Sequence, residues 1–170
     1  MEYNGNKIEI RDTPEKFTGM CEVIVPALVE LLSALAAAEE KANKEFQAME
    51  AEKPSLGLNK HEAHPRFMEF WREYRETVGA LVEPLFSEKL LKRGYGSHCG
   101  KPAKYSYING NCTIFFTMKT AKKAVVETQF INCPLTMEHR FTMKPSGDRW
   151  LVDDMKYRLE GSEKWENDSV

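Results

Sequence analysis

With 170 residues the chain is long enough for one domain that buries roughly 70% of its unfolded surface, and nothing in it asks for a second. Its 24 Lys and Arg stand against 26 Asp and Glu, a net charge of -2, which removes the electrostatic grounds for expecting nucleic acid or an anionic membrane as partner. The most apolar segment, Met20 to Ala38, carries Glu22, Pro26 and Glu30 and follows no basic stretch, so it reads as neither signal peptide nor membrane span, and the chain is expected to be cytoplasmic.

The first dozen residues, with Asn4-Gly5-Asn6 ahead of Ile8 and Ile10, read as a loop or a short edge strand. Thr13-Pro14-Glu15 then marks a helix start, with Thr13 as cap and Pro14 where a missing N–H costs nothing. From Phe17 through Cys21, Ile24, Leu28, Leu31 and Leu35 to Met49, apolar residues recur every three or four positions and form one amphipathic stripe. Pro26 inside it is expected to kink or split the helix. Unbroken, the helix would be about 55 Å long at 1.5 Å per residue, which leaves length to project towards a partner. The acidic clusters Glu39-Glu40 and Glu50 to Glu52 read as its wet side.

Glu52 to Gly57 breaks the pattern as a loop. A second helix is expected from about Pro65, with an aromatic face of Phe67, Phe70, Trp71 and Tyr74. A third, shorter one is expected from near Pro84, with Lys92-Arg93 in its last turn and Gly94 as its stop. Tyr105 to Leu159 then reads as one antiparallel sheet. Its turns are Ile108 to Asn111, Thr120 to Lys123, Asn132-Cys133-Pro134 and Pro145 to Asp148. Ile114, Phe116 and Met118 share one face, as do Ala124, Val126, Thr128 and Phe130, and then Met137, His139, Phe141 and Met143. One side of the sheet is therefore dry and needs the helices as its cover. The expected architecture is α+β in a single domain, with helices over about 13–94, sheet over about 103–159 and a polar tail over 160–170 that frays unless Trp165 docks.

The sharpest chemical possibility lies in the last hairpin. If a four-residue loop Pro145 to Asp148 closes it, Lys144 faces Arg149 and His139 faces Asp154 on the dry side, an acid–base dyad of the kind a small isomerase or dehydratase uses. The competing structural reading is a satisfied polar pair at the sheet margin, or a one-residue register change that brings Asp153 inside instead. Alternation slips at Asp153-Asp154, where a bulge is expected.

His61-Glu62-Ala63-His64 lacks zincin spacing and, like His98 beside Cys99, reads as loop rather than metal site. No nucleotide loop or nucleophile elbow is present, so no cofactor is expected. Cys21, Cys99, Cys112 and Cys133 fall at no framework spacing and read as reduced thiols. Lys101, Lys104, Lys119, Lys122 and Lys123 read as solvated strand ends rather than an RNA surface.

His98 to Tyr105, Ala124 to Thr128, His139 to Lys144 with Arg149 to Tyr157, and the closing Lys164-Trp165-Glu166-Asn167 together resemble the immunity proteins of nuclear transport factor 2-like fold found beside bacterial polymorphic toxins of the Rhs type. The resemblance implies a cone of three helices against a curved antiparallel sheet, related in outline to cystatin-like cones. It further implies a protein that neutralises a cognate toxin domain by stoichiometric binding, without catalysis, cofactor or metal. Contacts would then be sought at Glu138, Arg140 and Lys144 on the outward sheet face, at Asp153 and Asp154 near the mouth, and at Tyr95 and Trp165 as aromatic anchors. A scaffolding or homodimerising domain that uses the sheet face is a further reading.

Overall fold

In the computed structural model, which describes residues 1–170, the apolar alternation builds one open seven-stranded sheet whose spatial order is the chain order. The strands are β1 (Glu2–Tyr3), β2 (Asn6–Arg11), β3 (Cys112–Thr120), β4 (Lys123–Asn132), β5 (Leu135–Ser146), β6 (Arg149–Leu159) and β7 (Glu166–Asn167). Every neighbouring pair is antiparallel except β2 with β3. The opening residues are thus a true strand, and the sheet is mixed rather than purely antiparallel. Ile8 of β2 enters the core beside Ile114, and the helices that follow supply the long crossover a parallel pair requires.

The cover is α1 (Glu15–Thr18), α2 (Cys21–Glu52), α3 (Phe67–Val82) and the single turn α4 (Glu88–Leu91). The expected break at Pro26 is absent: α2 runs through it for 32 residues, about 48 Å at 1.5 Å per residue. Glu22, whose carbonyl loses its N–H partner to the proline, is exposed and open to water, so the deletion is tolerated. The interruption falls earlier, at Gly19-Met20. Ile24, Leu28, Leu32 and Leu35 of α2 join Phe70 and Val78 of α3 and Ile114, Phe116, Val126 and Phe141 of the sheet in one core. By length and composition the span Glu15–Leu56 would also suffice to cross a membrane, and half of its most apolar window is buried here.

Other expectations are corrected in detail. Glu39 is not on the wet side: it is 6% exposed and accepts hydrogen bonds from the backbone N–H groups of Gly100 and Lys104, both at 2.8 Å. The loop after α2 winds into a 3-10 turn, Lys53–Leu56, stopped by left-handed Gly57. The third helix starts at Glu88, capped by Ser87, because Leu85 to Ser87 pairs instead with Val152 of β6. Tyr105 to Asn111 is not strand: Ser106–Ile108 is a 3-10 turn that drives Tyr105, Tyr107 and Ile108 into the core.

The polar tail does not fray. Trp165 lies on the outward sheet face with the guanidinium carbons of Arg140 and Arg158 at 4.0 and 4.2 Å from its ring centroid, and Asp168 N–H donates to the Met155 carbonyl at 3.0 Å. Trp165→Ala is expected to lower stability by about 1–2 kcal/mol in urea unfolding and to speed amide exchange at Asp168.

Candidate functional site

The sheet's inner face reaches beyond its helical cover at the end where β4 turns into β5. There it leaves a cleft of about 500 Å³ between the 3-10 turn at Tyr107 and the strands. Phe130, Met137, His139 and Tyr157 come to it from three adjacent strands, because even positions of β4 and odd positions of β5 and late β6 share this face. Tyr107 stacks on Phe130 with centroids 3.6 Å apart, and Lys104 forms an ion pair with Asp168 at the edge.

His139 is 3% exposed. Its Nδ1 lies 2.7 Å from the Tyr107 hydroxyl, which is 3.0 Å from Thr128 Oγ1, while Tyr105, Phe130 and Phe141 present edges to its ring. Burial lowers its pKa to about 4; Asp168 acts against that and Lys104 with it. The imidazole is therefore neutral at pH 7. Burial raises the Tyr107 hydroxyl well above its ordinary value, so the pair is a neutral hydrogen bond rather than an ionised one. Beside it the fully buried Tyr105 Oη has no hydrogen-bond partner.

The structure does not bring His139 and the β6 aspartates together. The hairpin closes through Gly147-Asp148 alone, with Gly147 at φ 62, so Ser146 pairs with Arg149 and Met143 with Val152, and the bulge beyond them adds one more position and sets His139 opposite Tyr157. The expected bulge is present, at Asp153, and shifts the register between Met143–Val152 and Thr142–Asp154. Asp153 is buried and 2.7 Å from Lys144 Nζ. Burial alone would raise its pKa, but Lys144, the Ser87 hydroxyl and Lys89 hold it below the usual carboxylate range. Asp154 is ion-paired with Arg93, which also donates to the carbonyls of Met155 and Asp168. Both aspartates thus fasten α4 and the tail to β6.

The remaining candidates sit on other surfaces. Glu138 pairs with Arg158, and Arg140 pairs with Glu127 at 2.6 Å, under and beside Trp165. Tyr95 donates to Glu83 at 2.6 Å and packs over Gly79 of α3. His64 is buried, with Nε2 2.9 Å from Glu52 and Nδ1 accepting from Arg66 N–H, and no three metal-ligating side chains converge anywhere. All four cysteines are free. Lys104 and Asp168 were not legible as cleft residues, since the tail that carries Asp168 has no periodicity to place it.

Along the same inner face Leu135, Met137 and Leu159 continue outward from the cleft; Leu135 is 51% and Leu159 44% exposed, and Met137 pairs with Leu159. This makes an apolar strip from the β4–β5 turn to the cleft floor. No protein-family model matches the chain, and no curated protein or solved structure is significantly similar to it.

Proposed function

We propose that the chain is an immunity protein of nuclear transport factor 2-like, cone-type fold that neutralises a cognate bacterial toxin domain by stoichiometric binding. The observation that carries the reading is the apolar strip of Leu135, Met137 and Leu159. Large side chains exposed together on a sheet face that otherwise buries its apolar residues are what a protein interface needs at its centre. Glu138, Arg140 and Trp165 lie on the opposite, outward face, Lys144 towards the other end of β5 and Tyr95 against α3, so any contact they make with the toxin is separate from this strip. The binding reading is further supported because the expected dyad is not assembled: His139 faces Tyr157 and bonds to Tyr107, and Asp153 and Asp154 are committed to cations on other elements. Inhibition would then follow from occupying the toxin's surface, in the cytoplasm of the producing cell, with no cofactor.

The test is co-expression with the toxin domain encoded beside its gene, scored for growth rescue and for a one-to-one complex on purification. Absence of both rescue and complex would overturn the reading. Within a complex that does form, Leu135→Asp or Leu159→Asp is expected to weaken binding about tenfold while leaving the fold intact, since both residues are already about half in solvent.

A further inference from the structure

The apolar strip runs into the cleft through Met137, which pairs with Leu159 and also lines the cleft, so a partner seated on the strip lies against the cleft opening as well. What can enter there is set first by charge. The charged side chains of the lining, Lys104 and Asp168, are paired with each other, and Ser169 binds both again: its carbonyl accepts from Lys104 Nζ at 2.6 Å and its N–H donates to Asp168 Oδ1 at 2.9 Å. A charged group entering the cleft would lose its water and meet no free counter-ion, so the occupant is uncharged.

Shape and hydrogen bonding narrow the choice further. The walls are largely rings, Phe130 stacked on Tyr107 with His139 and Tyr157 beside them, and about 500 Å³ has room for a whole aromatic side chain. A flat ring gains edge-to-face contact with such walls beyond the area it buries. His139 Nδ1 is taken by Tyr107, whereas Nε2 has no partner within the protein and is not sealed off, a condition confined to Tyr105 Oη, so it opens into the cleft that His139 lines. Water can complete that nitrogen in the free protein. A hydroxyl group that displaces the water keeps the nitrogen bonded, and an apolar ring in the same place does not. A phenol both donates and accepts, so it suits Nε2 in either tautomer of His139; an indole N–H only donates.

We infer that the cleft is a socket for a tyrosine side chain of the toxin domain, with the ring among Phe130, Met137 and Tyr157 and the hydroxyl on His139 Nε2. The inference rests on the toxin-binding reading above and gives that interface a central anchor, a large aromatic group seated in a pocket beside the apolar strip.

The experiment is an NMR titration of the ¹⁵N-labelled full chain with N-acetyl-tyrosinamide, repeated with N-acetyl-phenylalaninamide and then in the one-to-one complex with the unlabelled toxin domain encoded beside the gene. The expected result is a saturable shift at Met137, His139 and Tyr157, binding of the phenylalanine analogue about tenfold weaker, and exclusion of the tyrosine analogue from the complex. Replacing the toxin's tyrosines by phenylalanine one at a time should then find one whose loss weakens the complex about tenfold. Shifts outside the cleft, no saturation, or equal binding of the two analogues would overturn the proposal. A complex that still admits the tyrosine analogue, or that no tyrosine replacement weakens, would overturn the socket and leave the toxin reading standing. Absence of any complex would remove the toxin reading and the socket with it.

Discussion

Glu39→Ala is expected to destabilise the protein by about 3 kcal/mol, although a glutamate in the middle of a long helix would ordinarily be a neutral surface position. The carboxylate is 6% exposed and both of its oxygens accept from backbone N–H groups, one from Gly100 and one from Lys104. Alanine leaves both donors without a partner beneath the helix, and each such loss costs about 1–3 kcal/mol. Glu39→Gln keeps one acceptor oxygen and is expected to lose roughly half as much. Urea unfolding gives the magnitudes, and hydrogen exchange at Gly100 and Lys104 gives their origin. A loss below about 1 kcal/mol with unchanged exchange would mean that the segment is held by its other contacts. Because Pro102, Ala103 and Lys104 of this segment also wall the cleft, Glu39 ties the long helix to that wall.

Acid should destabilise the protein through His139. The folded imidazole takes up its proton only at about pH 4, whereas the unfolded one does so near 6.5, so between these values the unfolded state binds more protons. Stability associated with this group is therefore complete above pH 6.5 and falls as the pH drops towards 4, by about 3 kcal/mol in all. Carboxylates such as Asp153 add an acid loss of their own, so the measurement is the difference between wild type and His139→Gln, taken in urea at pH 7.5 and again at pH 4.5. The wild type should lose about 2.5 kcal/mol more than the variant over that interval, the remainder falling below pH 4.5. Equal losses would show that the folded imidazole titrates where the unfolded one does, and so that its surroundings do not disfavour the proton.

The hairpin β5–β6 shows how far local pattern reaches. A four-residue loop at Pro145 to Asp148 and the two-residue turn found at Gly147-Asp148 differ by two positions in register, and both keep Phe141, Met143 and Val152 inside. Burial alternation has a period of two and cannot separate them. The tighter turn moved the partner of His139 on from Asp154 by two positions and the bulge by one more, to Tyr157, and with that went the proposed dyad. The bulge was legible because it breaks parity: Val152 and Met155 are both buried, which no regular strand allows.

By itself the sequence determined that α2 and α3 are helices and that β3 to β6 are consecutive antiparallel strands, with their approximate reversals and their dry faces, since each of these depends on neighbours within a few residues. Only the tertiary structure decided that β2 lies parallel to β3, that Glu39 turns inward to hold a loop about sixty residues away, that Trp165 pins the tail, and that Tyr107 rather than a carboxylate meets His139. Those partners are distant in the chain, and a hydrogen-bonding or charged side chain carries no periodic signal of which distant group will satisfy it.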